Sequence, residues 1–386
     1  MKIIDLVRQN DRLRKNSLNM VVSENVLTDN VKEALSIQHS RYHASFYGGT
    51  RIFLKILDKT QDLAKEIFDC ESALVSPLSG NLAVVAVILA FTNPGDKIAI
   101  LPLDPAGGYP INLEYLHRNR VNIPFDQNKF NIDLPRLIEV LKKEKPKLVF
   151  LGASLFIFPH PVTEISDVVH NYEGMVAYDG SHVLGLIAGR QFQDPLKEGA
   201  DLLLGSTHKS FPGPQGGIIL SNGSYQKRLD EVIGTDPLEG IVLVDNIHNS
   251  RIAALGTALE EFREYGREYA KQVVRNSKIL AHTLDNYQIP LHGKLNGYTE
   301  SHQVLMKIAN FNEGAKHRDS LLKYRIITDA GMRLGTAELT RLGFTEKEMG
   351  IIGTVIAKIL KSQFLSPKES QEINKQIDLL IQRARI

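Results

Sequence analysis

The sequence has a single cysteine, no tryptophan and almost no net charge. One cysteine, Cys70, can form neither an internal disulfide nor a cysteine-based metal site, so we expect no bound metal and a reducing, cytoplasmic location. The 46 Lys and Arg residues nearly balance the 44 Asp and Glu residues. A formal charge of +2 gives no electrostatic basis for binding nucleic acid or an anionic membrane.

Long hydrophobic runs are also absent. The longest apolar run covers residues 82–91 and falls well short of the roughly 20 residues that a membrane-spanning helix needs. The N-terminus is charged throughout and lacks the apolar core of a signal peptide. We interpret residues 82–91 as a helix that is buried on most sides, and we expect no membrane partner.

Short apolar runs alternate with amphipathic stretches between about residues 50 and 245. Near-continuous apolar strands separated by helices are typical of a mostly parallel sheet that is covered on both faces. We expect an N-terminal arm over residues 1–49, a large domain over 50–245, and a linking helix with a small α+β domain over 246–386. The apolar runs cover residues 97–102, 147–152, 175–179, 201–205 and 217–220.

Two side chains at the ends of these runs are candidates for chemistry. Lys209 lies just past the run 201–205, and Asp179 ends the run 175–179. Open parallel sheets bind ligands at the carboxyl ends of their strands, so both are expected at one edge. A desolvated lysine can attack an aldehyde, and a carboxylate can pair with a protonated pyridine nitrogen. Lys209 could instead be a surface lysine and Asp179 a helix N-cap, but together they favour a pyridoxal phosphate site.

A phosphate site is expected at the start of a helix. Ser79, Gly80 and Asn81 directly precede the apolar run that begins at Leu82. They offer hydroxyl and backbone N–H donors, and the helix dipole favours an anion there. An ordinary N-cap is the alternative interpretation of these three residues.

With these residues in view, the chain resembles the serine hydroxymethyltransferases, a family of fold type I pyridoxal-phosphate enzymes. The resemblance implies an α/β fold with a mostly parallel, seven-stranded sheet in a large domain and a smaller α+β C-terminal domain. It also implies a homodimer, or a dimer of dimers, with shared active sites. The matching segments are residues 46–49, 79–80, 107–109, 154, 178–182, 206–209, 213–217 and 331–336.

Carried over by position, the resemblance assigns a role to each site residue. Lys209 would form the Schiff base with the cofactor, and Asp179 would face the pyridine nitrogen. Arg333 would bind the substrate α-carboxylate, for which a planar guanidinium is suited. Tyr109 would stack on the ring, where the family has a histidine, and Tyr47 would reach the partner subunit's cofactor. Ser23 and Tyr42 would line the substrate pocket. The residues expected around the cofactor are His182, His208, Ser154, Ser206, Ser79, Gly80 and Asn81.

The chain departs from the family pattern in three places. The loop over residues 42–47 is shorter and lacks the family's acid/base glutamate, so that His43 is its only good titratable group. Residues 324–332 run directly into Arg333 without the family's folate-holding insertion. The glycine-rich segment at the neighbouring subunit's cofactor is replaced by residues 234–240. The first two departures predict that tetrahydrofolate is not a substrate.

The retained groups suit bond cleavage at the α-carbon of an amino acid. We expect reversible aldol-type Cα–Cβ cleavage or formation between glycine and an aldehyde, acting on serine- or threonine-like substrates. His43, His182 or His208 is the expected base for the β-hydroxyl. The alternatives are transamination, racemisation or decarboxylation of an amino acid, a folate-dependent hydroxymethyl transfer, and a non-catalytic paralogue.

Overall fold

The computed structural model describes residues 1–37, 47–234, 242–362 and 364–384. The helices are α1 (Ile3–Lys15), α2 (Asp29–Ser36), α3 (Arg51–Phe68), α4 (Gly80–Phe91), α5 (Leu134–Glu144), α6 (Val162–His170), α7 (Leu184–Ala188), α8 (Gln226–Ile233), α9 (Asn249–Asn286), α10 (Phe311–Leu322), α11 (Ala337–Arg341), α12 (Glu346–Lys361) and α13 (Pro367–Arg383). Short 3-10 helices cover Glu114–Leu116 and Lys294–Asn296.

The strands are short and most of them lie in the middle of the chain. They are β1 (Leu18–Asn19), β2 (Ser72–Leu74), β3 (Lys97–Ile100), β4 (Asn119–Asn122), β5 (Phe125–Asp126), β6 (Asn131–Ile132), β7 (Leu148–Leu151), β8 (Met175–Asp179), β9 (Leu202–Ser206), β10 (Gly217–Ser221), β11 (Gln303–Leu305), β12 (Ile326–Ile327) and β13 (Arg333–Gly335).

The chain divides into two compact units. The central unit is Leu27–Ala270, and the terminal unit combines Met1–Val26 with Lys271–Ile386. The boundaries expected after residues 49 and 245 do not coincide with these units. The physical reason is that β1 pairs with β12, and Leu18 of β1 is completely buried in the core of the terminal unit.

The central unit contains a seven-stranded sheet in the order β2-β10-β9-β8-β7-β3-β4. The five neighbouring strands β4, β3, β7, β8 and β9 run parallel, whereas β10 is antiparallel to both β9 and β2. Every residue of β7 and of β9 is buried, as expected for strands covered on both faces. This topology confirms the expected α/β class with a mostly parallel sheet.

Helix α4 is the apolar run of the sequence, and it packs against α8, β9 and β10. Its N-cap is Ser79, whose Oγ accepts a hydrogen bond of 3.1 Å from the Leu82 N–H. The cap satisfies one of the N–H groups that have no partner inside a helix, and it fixes the first turn at Gly80. Among the described residues, no helix combines the length and apolarity needed to cross a bilayer.

The terminal unit is built around two small pairings. Strand β1 runs parallel to β12, and β11 runs antiparallel to β13. The C-terminal part of α9 supplies Leu280 and Leu284 to the same core as α12 and α13. Asn276, which is fully buried, donates 2.8 Å hydrogen bonds to Thr340 Oγ1 and to the Phe344 carbonyl. These bonds hold α9 against the segment that follows β13.

The edge at which β7 and β8 end leaves no room for a side chain at Gly152. This residue has φ +117°, a conformation that L side chains rarely adopt. A Cβ atom there would lie 2.4 Å from the carbonyl oxygen of Asp179 and 2.9 Å from its Cβ. Glycine is therefore required beside the end of β8.

Gly152→Ala is expected to lower the free energy of unfolding by about 2–4 kcal/mol, because backbone strain and a backbone clash add. Gly95→Ala, in the same unit, is the matched control, since Gly95 has φ +90° but nothing within 4 Å of its virtual Cβ. It should cost only the strain, about 1–2 kcal/mol. Urea denaturation measures both, and equal losses would contradict a clash at Gly152.

Candidate active site

Asp179 and Lys209 meet at the carboxyl edge of the central sheet. Asp179 is the last residue of β8 and is 8% exposed, and Lys209 follows the end of β9. Burial raises the pKa of the Asp179 carboxyl, whereas the positive charge of Lys209 and hydrogen bonds from Ser181 oppose that shift. The adjacent strand ends therefore bring an acid and an amine close enough for their charges to interact.

Ser181 ties Asp179 to the end of the next strand. Its backbone N–H donates a 2.9 Å hydrogen bond to Asp179 Oδ1. Its Oγ accepts a 2.9 Å bond from the Ser206 N–H and lies 3.1 Å from Ser206 Oγ, which donates to it. Both serines are 6% exposed. The carboxylate orientation is thus set by a buried network and not by solvent.

The start of α4 lies against the end of β9. A Cβ atom on Gly80 would lie 2.5 Å from Ser206 Oγ and 3.1 Å from the Ser206 nitrogen. The Gly217 N–H donates a 2.9 Å bond to the Pro77 carbonyl, which joins the turn before α4 to β10. Helix N–H groups and small residues converge here in the way that an anion site requires. We call residues 76–81 the cradle.

Tyr109 lies between the cradle and the acid. Its hydroxyl donates a hydrogen bond to Asn81 Oδ1. Burial raises the pKa of Tyr109, and the negative charge of Asp179 adds to that shift. The Ser154 N–H donates a 2.7 Å bond to the Gly107 carbonyl, so that Ser154 lies beside the segment that carries Tyr109.

Two histidines lie between Asp179 and Lys209 in the sequence, each close to one of them. His182 is 5% exposed and directly follows Ser181. His208 directly precedes Lys209 and is half-buried. The central unit therefore supplies an amine, a buried acid, an aromatic ring and a helix N-terminus at one edge. This donor set fits pyridoxal phosphate, which presents an aldehyde, a pyridine nitrogen, a flat ring and a phosphate.

Arg333 and Ser23 belong to the terminal unit. Arg333 begins β13, and its Nε donates a 2.7 Å hydrogen bond to Asp329 Oδ2. The Gly335 N–H donates a 2.8 Å bond to the Met20 carbonyl, and a Cβ on Gly335 would lie 2.9 Å from Val22 Cα. The strand that carries Arg333 thus runs beside the segment that leads into Ser23.

The other residues that the sequence analysis assigned to the site are Tyr47, Tyr42 and His43. Tyr47 is 37% exposed ahead of α3, and its carbonyl accepts a 3.0 Å bond from Thr50 Oγ1. Tyr42 and His43 lie outside the described residues, as do positions 235–240 of the segment that replaces the family's glycine-rich stretch.

The structure adds two residues that the sequence analysis missed. Ser181 could have been found, since it follows Asp179 by two positions at a strand end. Arg251 donates to the Val75 and Ser76 carbonyls and is 5% exposed. Its only sequence signal is its position three residues before Ala254, on the apolar face of α9, where a charged residue is out of place.

Comparison with known proteins agrees with this geometry. The family model for serine hydroxymethyltransferase matches residues 1–356. Serine hydroxymethyltransferases from Methanocella arvoryzae and Methanopyrus kandleri are each 37% identical to the chain, over 97% and 98% of its length and 92% of theirs. One from Methanobrevibacter smithii is 37% identical over 92% of the chain and 88% of its own length.

A solved structure extends the likeness to the fold. The crystal structure of L-threonine transaldolase from Pseudomonas fluorescens, in its internal aldimine state, superposes with a TM-score of 0.86 at 25% identity. The match covers 99% of this chain and 90% of the transaldolase. These findings confirm the expected fold class and the pyridoxal phosphate cofactor. The chain belongs to the serine hydroxymethyltransferase family.

Proposed function

We propose that this enzyme catalyses reversible aldol-type cleavage and formation of the Cα–Cβ bond between glycine and an aldehyde, without tetrahydrofolate. Its substrates are serine- or threonine-like β-hydroxy amino acids. The observation that carries the proposal is the interaction between buried Asp179 and Lys209 at adjacent strand ends. The likeness to an L-threonine transaldolase supports the choice of aldol chemistry within the family.

Each group of the central unit has a defined task in this proposal. When bound, pyridoxal phosphate supplies an aldehyde for covalent attachment and a ring that withdraws electrons from the bond being broken. Lys209 provides the attaching amine. Asp179, held by Ser181, keeps a negative charge opposite the ring nitrogen. The cradle binds the phosphate through Ser79, Gly80 and Asn81, and Tyr109 covers the ring beside Ser154 and Ser206.

Arg333 anchors the substrate by its α-carboxylate. Asp329 holds the Nε side of this guanidinium, with 2.7 Å between Nε and Oδ2, and thereby fixes its plane. Both side chains are largely buried, at 22% and 23% exposure, so that solvent screens the charge contact only weakly. A fixed guanidinium orients the amino acid and leaves its Cα–Cβ bond free to align for cleavage. By resemblance, Ser23 and Tyr42 are assigned to substrate binding as well.

The proton of the substrate β-hydroxyl passes to a histidine. His182 and His208 are the described candidates, and His43 is the third. Once the hydroxyl is deprotonated, the Cα–Cβ bond breaks, the β-carbon leaves as an aldehyde, and Cα takes up a proton to give glycine. The reverse sequence joins an aldehyde to glycine.

The proposal that the reaction does not use folate is supported by the short connection between β12 and Arg333. Strand β12 ends at Ile327 and β13 begins at Arg333, so that only residues 328–332 join them. Thr328 Oγ1 donates a 2.9 Å hydrogen bond to the Arg333 carbonyl, which closes this connection into a tight turn. The connection therefore contains no counterpart of the family's folate-holding insertion.

We further propose a cytoplasmic homodimer in which Tyr47 reaches the cofactor of the partner subunit. The partial exposure of Tyr47 supports this proposal, because a side chain that completes a neighbouring site must lie at the surface of its own subunit. The single cysteine suits a reducing compartment.

Lys209→Ala is expected to abolish the visible absorbance band of the lysine-bound cofactor, because Lys209 is the amine whose charge acts on buried Asp179. The control is Lys197→Ala, which removes an exposed lysine that pairs with Asp69 at the surface of the same unit. The spectrum of each purified protein gives the answer. A band that persists in Lys209→Ala until denaturation would assign the attachment to a different lysine.

Arg333→Ala is expected to raise the KM for amino-acid substrates by at least about 30-fold, since truncating a buried charge contact costs about 2–5 kcal/mol. Arg325→Ala serves as the control, because it removes an arginine of the same unit that pairs with Asp378 at 2.8 Å. Steady-state kinetics with both variants separates the two positions. An unchanged KM in Arg333→Ala would mean that the carboxylate is bound elsewhere.

The wild-type protein is expected to release an aldehyde from serine or threonine at the same rate with and without tetrahydrofolate. An aldehyde-reducing coupled assay measures that rate. Titration with glycine, followed by visible absorbance, tests folate binding directly. A new band that tetrahydrofolate enhances in the presence of glycine would overturn the folate-free proposal and favour hydroxymethyl transfer.

A further inference from the structure

Arg251 is a buried cation held by backbone oxygens. It lies in the first turn of α9 and is 5% exposed. Its Nη2 donates to the carbonyls of Ile247, Val75 and Ser76 at 3.0, 2.9 and 3.2 Å, and its Nε donates to the Ile247 carbonyl at 3.2 Å. The side chain therefore binds the backbone at the start of the cradle.

The charge of Arg251 is not neutralised by a carboxylate in the part of the chain that the structure describes. Within the described part of the chain its hydrogen bonds go to carbonyl oxygens, and its buried Nη1 has no hydrogen-bond partner there. Burial lowers the pKa of this guanidinium to about 10, so that it remains protonated at neutral pH. A buried, unpaired charge is costly, and it persists where a bound anion or a functional constraint offsets the cost.

The guanidinium also borders the loop that carries Lys209. A Cβ atom on Gly216 would lie 2.7 Å from Arg251 Nη1 and 3.0 Å from Thr207 Oγ1. The Gly216 carbonyl accepts a 3.1 Å hydrogen bond from the Thr207 N–H, which closes the loop two residues before Lys209. Arg251 thus lies where the cradle and the lysine loop meet, and glycine at position 216 leaves room for Nη1.

We propose that Arg251 is a positioning residue for the cofactor phosphate. It fixes the cradle relative to the Lys209 loop, and its positive charge favours binding of the phosphate dianion at the cradle. This inference rests on the proposed placement of the phosphate at Ser79, Gly80 and Asn81. It assigns to the phosphate site a side chain that lies 170 residues away in sequence from Asn81 and that contacts the site through the backbone carbonyls of Val75 and Ser76.

The proposal predicts a defect that depends on the phosphate. Arg251→Met removes the charge and the donors at similar volume, and Arg251→Lys keeps the charge with fewer donors. For apoprotein prepared from the purified holoenzyme, Arg251→Met should weaken binding of pyridoxal phosphate by about 10- to 100-fold. Binding of pyridoxal, which has the same ring and aldehyde but no phosphate, should change by less than about 3-fold. Arg251→Lys should retain most of the preference for pyridoxal phosphate.

Arg118→Met is the matched control. Arg118 is 7% exposed, and its Nε and Nη2 donate to Thr92 Oγ1 and the Thr92 carbonyl at 2.9 and 2.6 Å. Thr92 caps the far end of α4, about 18 Å from the cradle for a helix of 12 residues. Arg118→Met removes an equally buried arginine and should leave the ratio of the two dissociation constants unchanged.

The outcomes distinguish this inference from the proposed function. Equal weakening of pyridoxal phosphate and pyridoxal in Arg251→Met would overturn the role at the phosphate and leave Arg251 as a structural clamp. A wild-type protein with no preference for the phosphorylated cofactor would overturn the cradle itself, and this inference with it. If Arg251→Met does not fold, Arg251→Gln decides, because it removes the charge and keeps an amide donor for the carbonyls. A lost preference for pyridoxal phosphate would support the role at the phosphate, and equal losses for the two ligands would overturn it.

Discussion

A buried carboxylate that faces a lysine charge is the constraint around which this protein is organised. Asp179 is 8% exposed, and a carboxylate removed from water must find compensating partners. Ser181 provides hydrogen bonds, Lys209 provides positive charge, and Gly152 yields the space that the Asp179 backbone occupies. Parallel strands with their carboxyl ends at one edge bring these partners together from separate parts of the sequence. In the proposed function, this acid pairs with a cationic pyridine ring.

Much of this edge could be predicted from the sequence because it depends on local patterns. The apolar runs that became β8 and β9 end at Asp179 and Ser206, and a strand end shows in sequence as the first polar residue after buried ones. The start of α4 was visible for a similar reason, since Ser79 precedes an unbroken apolar run.

The remainder could not be predicted because it depends on contacts between distant segments. Gly80 against Ser206, Arg251 against Ser76, and Met20 against Gly335 each join parts of the chain that no periodicity connects. The two compact units depend on such contacts as well, since a two-residue strand such as β1 has no recognisable sequence pattern. The role of Arg251 was overlooked because its partners, the carbonyls of Val75 and Ser76, are distant in sequence.

The reversal of direction at β10 has a consequence for how the protein acquires its cofactor. Ser206 on β9 is directly paired with Gly217 on β10, so that the intervening loop with Lys209 is anchored to the sheet at both ends. The entropic cost of closing this loop is met when the protein folds. If Lys209 is the attaching amine, as proposed, we expect the apoprotein to keep that amine in place and to bind the cofactor with simple second-order kinetics, without a slow ordering phase.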